Sequence, residues 1–125
     1  MQHQAAQAYQ QVAKQTVSPR NREADLLSRA AGQLQRVRDD WESNRGDLTT
    51  ALKFNRKLWT ILVTSVTKSE NPLPQPIKQN VANLGVFVLG RTVEIQLTPT
   101  AEKLDSIIKI NRELAMGLRA NNLTE

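Results

Sequence analysis

The sequence predicts an all-α protein, a small bundle of four main helices with a further amino-terminal helix that has less to bury. Three observations carry this. Apolar residues recur at spacings of three and four over long stretches, as they do along one helix face. Prolines and glycines gather mainly at the joints between those stretches. One short segment alone, Thr92 to Leu97, alternates polar and apolar residues as a strand would. At 125 residues the chain reads as a single domain over residues 1–125, long enough to bury most of its unfolded surface around one core.

Taken in order, the amino-terminal stretch sets Tyr9, Val12 and Ala13 among glutamines. Gln and Ala favour helix but offer little to bury, so residues 1–17 are expected either as a mobile segment or as a helix docked on the bundle. Ser18-Pro19 then supplies a capping hydroxyl and a preset φ, the usual opening of a helix. From there Ala24, Leu27, Ala31, Leu34, Val37 and Trp41 form one stripe. Asn44 to Asp47, with Gly46 inside, reads as a stop followed by a new cap, and a second helix is expected from Leu48 to about Lys68. Pro72, Pro74 and Pro76 cannot lie inside a helix, but Pro74 or Pro76 can open a third, from about Gln75. Thr98-Pro99 repeats the capping logic for a fourth, from about Thr100 to Ala120. The alternating TVEIQL segment is assigned to the third helix, because an isolated hairpin is marginal and no other strand is offered to pair with it.

Composition removes several functions. The chain has no cysteine, which excludes disulfides, thiolate metal sites and cysteine nucleophiles and fits a reducing compartment. His3 is the only histidine, and it stands in the Gln-rich segment, where a solvated side chain is expected. Asp39, Asp40 and Glu42 cluster without a His or Cys nearby, and Gly85 to Gly90 lacks the Lys-Ser/Thr that ends a phosphate loop. No catalytic, metal or cofactor site is therefore expected, and no enzyme activity. The net charge of +5, from 17 Lys and Arg against 12 Asp and Glu, is interspersed and reads as a mixed solvated surface. No basic-then-apolar leader opens the chain and no apolar run is long enough to span a bilayer. A soluble cytoplasmic protein is expected.

Two near-identical phrases, KFNRKL at Lys53 to Leu58 and KINREL at Lys109 to Leu114, look at first like a duplicated binding site. Helical phase reads them differently. At about 100° per residue, Leu52, Asn55, Trp59, Leu62 and Val66 share one line, and Leu104, Ile108, Asn111, Ala115 and Leu118 share another. Asn55 and Asn111 therefore occupy seam positions, while Arg56 and Arg112 stand off the seams, where their stems cover apolar surface. A buried amide must be hydrogen-bonded. The two asparagines can bond each other, or can tie down the carbonyls of the turn from Asn71 to Pro76. Asn55, Arg56, Trp59, Asn111 and Arg112 are accordingly expected to be seam and loop-anchoring residues.

The third helix is apolar on two sides. Ile77, Val81, Leu84, Val88 and Ile95 form one stripe, with Arg91 on its line, and Val86, Leu89, Val93 and Leu97 form a second on the opposite side, beside Gly90. The second stripe is either covered by the amino-terminal helix through Tyr9 and Val12 or left for a partner's amphipathic helix. Lys53, Lys57 and Lys109 project away from their seams, but no aromatic residue interleaves with a basic run as RNA stacking platforms do.

Blocks in one order along the chain resemble the FlaF family of flagellar biosynthesis regulators: Ser18-Pro19-Arg20, AL-x-FNRKLWTIL from Ala51 to Leu62, ENPLP from Glu70 to Pro74, NVANLGVFV from Asn80 to Val88, and INREL to Leu114 followed by AMGL. The resemblance implies a helical cytoplasmic protein that promotes flagellin production and export, acts as a secretion chaperone for flagellin, and works alongside FlbT. It brings no catalytic or cofactor residues. On that basis Val86, Leu89, Val93 and Leu97 are the expected contact with flagellin. The alternative is a regulator of flagellin mRNA, acting on RNA directly or through FlbT.

Overall fold

The computed structural model describes residues 19–123, so the amino-terminal helix expected around Tyr9 and Val12 lies outside the described residues. Four long helices form the bundle: α1 Pro19–Asp39, α2 Leu48–Val66, α3 Gln75–Leu97 and α4 Leu104–Leu123. No strand occurs among the described residues, and the TVEIQL segment continues α3 to its last turn.

The joints differ from a plain stop-and-cap scheme. Between α1 and α2 the chain makes a short helix, Trp41–Asn44, and a 3-10 turn, Arg45–Asp47. Asp47 makes no side-chain cap bond; the elbow is held by Asn44, whose Nδ2 donates to Arg36 O at 3.0 Å. A second 3-10 turn, Ala101–Lys103, precedes α4, and Thr100 caps it with backbone alone. Lys103 Nζ reaches back to Thr98 O at 2.8 Å, putting a cation against carbonyls just past the end of α3. The proline-rich turn is self-contained. Leu73 N donates to Asn71 Oδ1 at 3.0 Å, Asn71 Nδ2 donates to Ser65 Oγ at 2.9 Å, and Pro74 O accepts from Ile77 N and Lys78 N to open α3.

The helices lie in two layers. α1 packs chiefly on α4 and α2 chiefly on α3, α1 also packs on α2, and α3 touches α4 more sparingly. One apolar cluster joins them, centred on Trp59, Leu27, Leu34, Leu52, Ile95, Leu104, Ile107 and Leu118. The expected stripes supply it: Ala24, Leu27, Ala31, Leu34 and Val37 are buried on α1, while Trp41 beyond the helix end is half-buried.

α2 and α3 approach closely because Gly85 has no side chain. A Cβ there would overlap Val63 Cγ2 and lie 3.6 Å from Trp59 Cε3. Gly85 is thus a contact position, not a joint.

The layers are joined by a buried polar chain. Trp59 Nε1 donates to Asn111 Oδ1 at 2.9 Å, which fixes the orientation of the Asn111 amide. Asn111 Nδ2 then donates to Asn55 Oδ1 at 2.7 Å and to Leu27 O at 3.4 Å. Both asparagines are fully buried. Of the two arrangements open to them, the direct bond is the one formed. Loop anchoring does not belong to these residues: Asn71 holds the proline-rich turn, Arg112 Nη1 donates to Gln35 Oε1 at 3.0 Å on α1, and the Arg56 side chain is exposed.

Candidate partner-binding surface

On α3, the residues facing the core are Val81, Gly85, Val88, Thr92 and Ile95. Thr92 is accommodated there because its hydroxyl donates to Val88 O at 2.8 Å. Leu84 and Ile77 sit half-buried toward α4, and Leu89 and Ala82 half-buried at the opposite flank. Arg91 lies half-buried, its guanidinium 5.3 Å from the Phe87 ring and its Nη1 3.0 Å from Glu94 Oε2.

The second stripe faces outward. Val86 is 74 % exposed, Val93 52 % and Leu97 79 %, with Leu89 half-buried behind them. Nothing lies within 4 Å of a Cβ built at Gly90. Large aliphatic side chains exposed in a row along one helix are unusual where water is the final neighbour.

The adjoining face of α2 can be placed by phase. Val63 packs on Gly85, and stepping round α2 from Val63 away from the core brings Arg56, Thr49, Thr60 and Lys53 in turn, within about 80°. All four are exposed. A shallow hollow runs along α2 past Lys53, Arg56, Lys57 and Thr60. The outer side of the α2·α3 layer is therefore an aliphatic row bordered by a basic one.

The outer side of the α1·α4 layer is built otherwise. Arg38 Nε donates to Asp105 Oδ1 at 2.9 Å, Arg112 to Gln35 at 3.0 Å, and Arg119 Nη2 to Asp25 Oδ1 at 2.9 Å and Ser28 Oγ at 3.2 Å. Asp105 raises the pKa of Arg38 through that hydrogen bond and its charge. Polar bridges cross the seam at intervals along α1, as on a surface meant for solvent.

A second concavity escapes helical phase read one helix at a time. Between α3 and α4 lies an open groove of about 330 Å³ lined by Ile77, Leu84, Ile110, Leu114 and Leu118, with Asn80 and Glu113 at its rim. Ile77 and Leu84 belong to the first α3 stripe, so part of that stripe lines a groove. Only the sparse α3·α4 contact creates it, and no single helix pattern encodes that spacing.

Among the described residues no group of His, Cys, Asp or Glu could hold a metal ion, and no helix is long and apolar enough to cross a membrane. What fold and surface define together is a small all-α protein with an aliphatic helix face that no described residue covers. The chain belongs to the FlaF family of flagellar proteins, whose family model matches residues 5–118. No curated protein and no solved structure matches it.

Proposed function

We propose that this flagellar protein binds flagellin through the outer face of α3 and, in the cytoplasm, promotes its production and export as a secretion chaperone does. The supporting observation is the uncovered row Val86, Val93 and Leu97 in a protein whose other outer seam is bridged by polar pairs. Flagellin subunits end in amphipathic segments that become helices in the filament, and such a segment needs an apolar surface before assembly. A helix laid along α3 would cover the row by the helix-in-groove mode.

The test is Val93→Asp combined with Leu97→Asp. Both side chains are exposed, so thermal stability is expected to shift by no more than about 0.5 kcal/mol. Flagellin affinity, followed by calorimetric titration, is expected to fall at least tenfold. Unchanged affinity in the folded variant would sink the proposal. Titrating flagellin leader RNA beside flagellin at two salt concentrations separates the alternative regulator of flagellin mRNA, because phosphate contacts weaken more steeply with salt than an interface carried mainly by apolar area.

A further inference from the structure

The charges bordering the aliphatic row specify what kind of helix lies on it. This step rests on the reading that α3's outer face is a docking surface, and it adds the chemistry of the occupant. α2 carries Lys53, Arg56 and Lys57 and no acidic residue. None of these three cations has a carboxylate partner among the described residues, whereas Arg38, Arg91 and Arg119 each have one. The one acidic residue of α3, Glu94, is bonded to Arg91. The border is thus positive and uncompensated along the α2 side of the row.

We infer that the occupant is an amphipathic peptide helix whose apolar stripe is flanked by Asp or Glu, docked on Val86, Leu89, Val93 and Leu97 with its acidic edge against Lys53 and Arg56. The aliphatic row takes up apolar area and the basic edge fixes which way round the helix lies. A second copy of this chain lacks the acidic edge that would answer the basic one: an antiparallel two-fold pairing of α3 sets the basic edges against each other, and in a parallel pairing α3 itself offers only Glu94, already bonded to Arg91. Nucleic acid fits the basic edge but leaves the aliphatic row unused, and the two rings nearby, Phe87 and Phe54, already lie under Arg91 and Arg29.

Two synthetic amphipathic peptides with one shared apolar pattern, one flanked by Glu and the other by Lys, test this against the full chain by fluorescence anisotropy. The Glu-flanked peptide is expected to bind roughly tenfold tighter at low salt, with the margin shrinking as salt rises. Lys53→Glu with Arg56→Glu, both exposed and far from the core, is expected to reverse the preference while leaving the circular dichroism spectrum unchanged. Equal binding of the two peptides overturns the inference, as does a preference that survives the charge reversal. An oligonucleotide that displaces the Glu-flanked peptide and loses its own hold in the reversed variant assigns the edge to phosphate and also overturns it. Because the chain has no cysteine, Val93→Cys is a single labelling site. Fast maleimide labelling of the free protein is expected. Slow labelling gives the face to this chain's own residues 1–18, or, if light scattering shows a doubled mass, to a second copy, and either result refutes the inference.

These outcomes are separable from those of the flagellin proposal. Peptide selectivity without flagellin binding keeps the docking chemistry and removes flagellin as its ligand. Flagellin binding that depends on Val93 and Leu97, without peptide selectivity, keeps flagellin and removes the acidic edge.

Discussion

The two helix pairs of this bundle bury apolar stripes into one core, yet their outer sides obey different rules. On α1·α4 the chain spends Arg38, Arg112 and Arg119 on Asp105, Gln35 and Asp25, so that the seam is cross-linked at three points along its length, although Met116 on α4 is also exposed. On α2·α3 it places Val86, Val93 and Leu97 in the open beside Lys53 and Arg56, which have no carboxylate partner among the described residues. Exposed salt bridges contribute little individually, so the difference is one of destination more than of stability. One seam is bridged by the chain's own polar groups, and the other carries exposed aliphatic side chains with no such bridge among the described residues.

What joins the pairs is where the largest effects are expected. Asn111 serves Trp59 Nε1, Asn55 Oδ1 and Leu27 O from one amide. Asn111→Leu strands a buried indole N–H and the Asn55 amide oxygen, while Leu27 O keeps its helical partner, and a loss of about 3 kcal/mol is expected from urea unfolding, at about 1–3 kcal/mol per stranded group. Asn55→Leu removes one bond together with an amide Nδ2 that has no partner, so a loss of about 1 kcal/mol is expected. If the two variants lose the same stability, the direction of the chain from Trp59 through Asn111 to Asn55 is wrong.

Next in size is the α2·α3 contact. Gly85→Ala forces its Cβ onto Val63 Cγ2, and Val63, β-branched, has few rotamers to escape into. Overpacking of this kind costs about 2 kcal/mol. Because the strain loosens α2 from α3, the variant is also expected to weaken whatever binds across both helices, in contrast to the surface variant Val93→Asp. Stability within about 0.5 kcal/mol of the parent would mean that the helices shift apart freely, against the close packing of folded cores.

The architecture was largely legible before the structure, and for identifiable reasons. Three-and-four spacing placed Leu27, Leu34, Trp59, Leu62, Ile108 and Leu118 inside because each lies on a long uninterrupted stripe. Phase likewise put Asn55 and Asn111 on their seams, and the opposite faces of α3 were separated correctly into buried Val81, Val88 and Ile95 and outward Val86, Val93 and Leu97. Partner choice was not legible. That Asn111 meets Asn55 and Trp59, and not the proline-rich turn, depends on how α4 sits against α2, and Asn71 had already taken the turn through a bond two residues along the chain. Nor were the caps: Asp47 makes no side-chain cap bond, and Thr98, read as the opening of the fourth helix, instead closes α3, with a 3-10 turn standing between it and α4. The α3·α4 groove depends on the spacing of two helices distant in sequence, which no stripe on either one records.

On the bridged seam the expected effects are small. Arg119→Ala removes the bridge to Asp25 and the bond to Ser28, and about 0.5 kcal/mol is expected, shrinking in high salt. A loss that persists undiminished at high salt would show that the stem of Arg119 contributes by packing and not by charge.

The smallest effect turns on an acid of α1 that lies outside those bridges. Burial raises the pKa of Glu23, while the nearby Arg20 guanidinium pulls it the other way and only in part offsets it. A carboxyl held above its ordinary value in the folded state takes up protons more readily there than in the unfolded chain. Its contribution is therefore unfavourable at neutral pH, and stability recovers as pH falls from the raised value through the ordinary carboxylate range. Glu23→Gln is expected to melt slightly higher than the parent at pH 7, with the margin closing by about pH 4. A margin equal at both pH values would mean that the glutamine gains by packing alone, and a parent that melts higher at pH 7 would mean that Arg20 outweighs burial at this position.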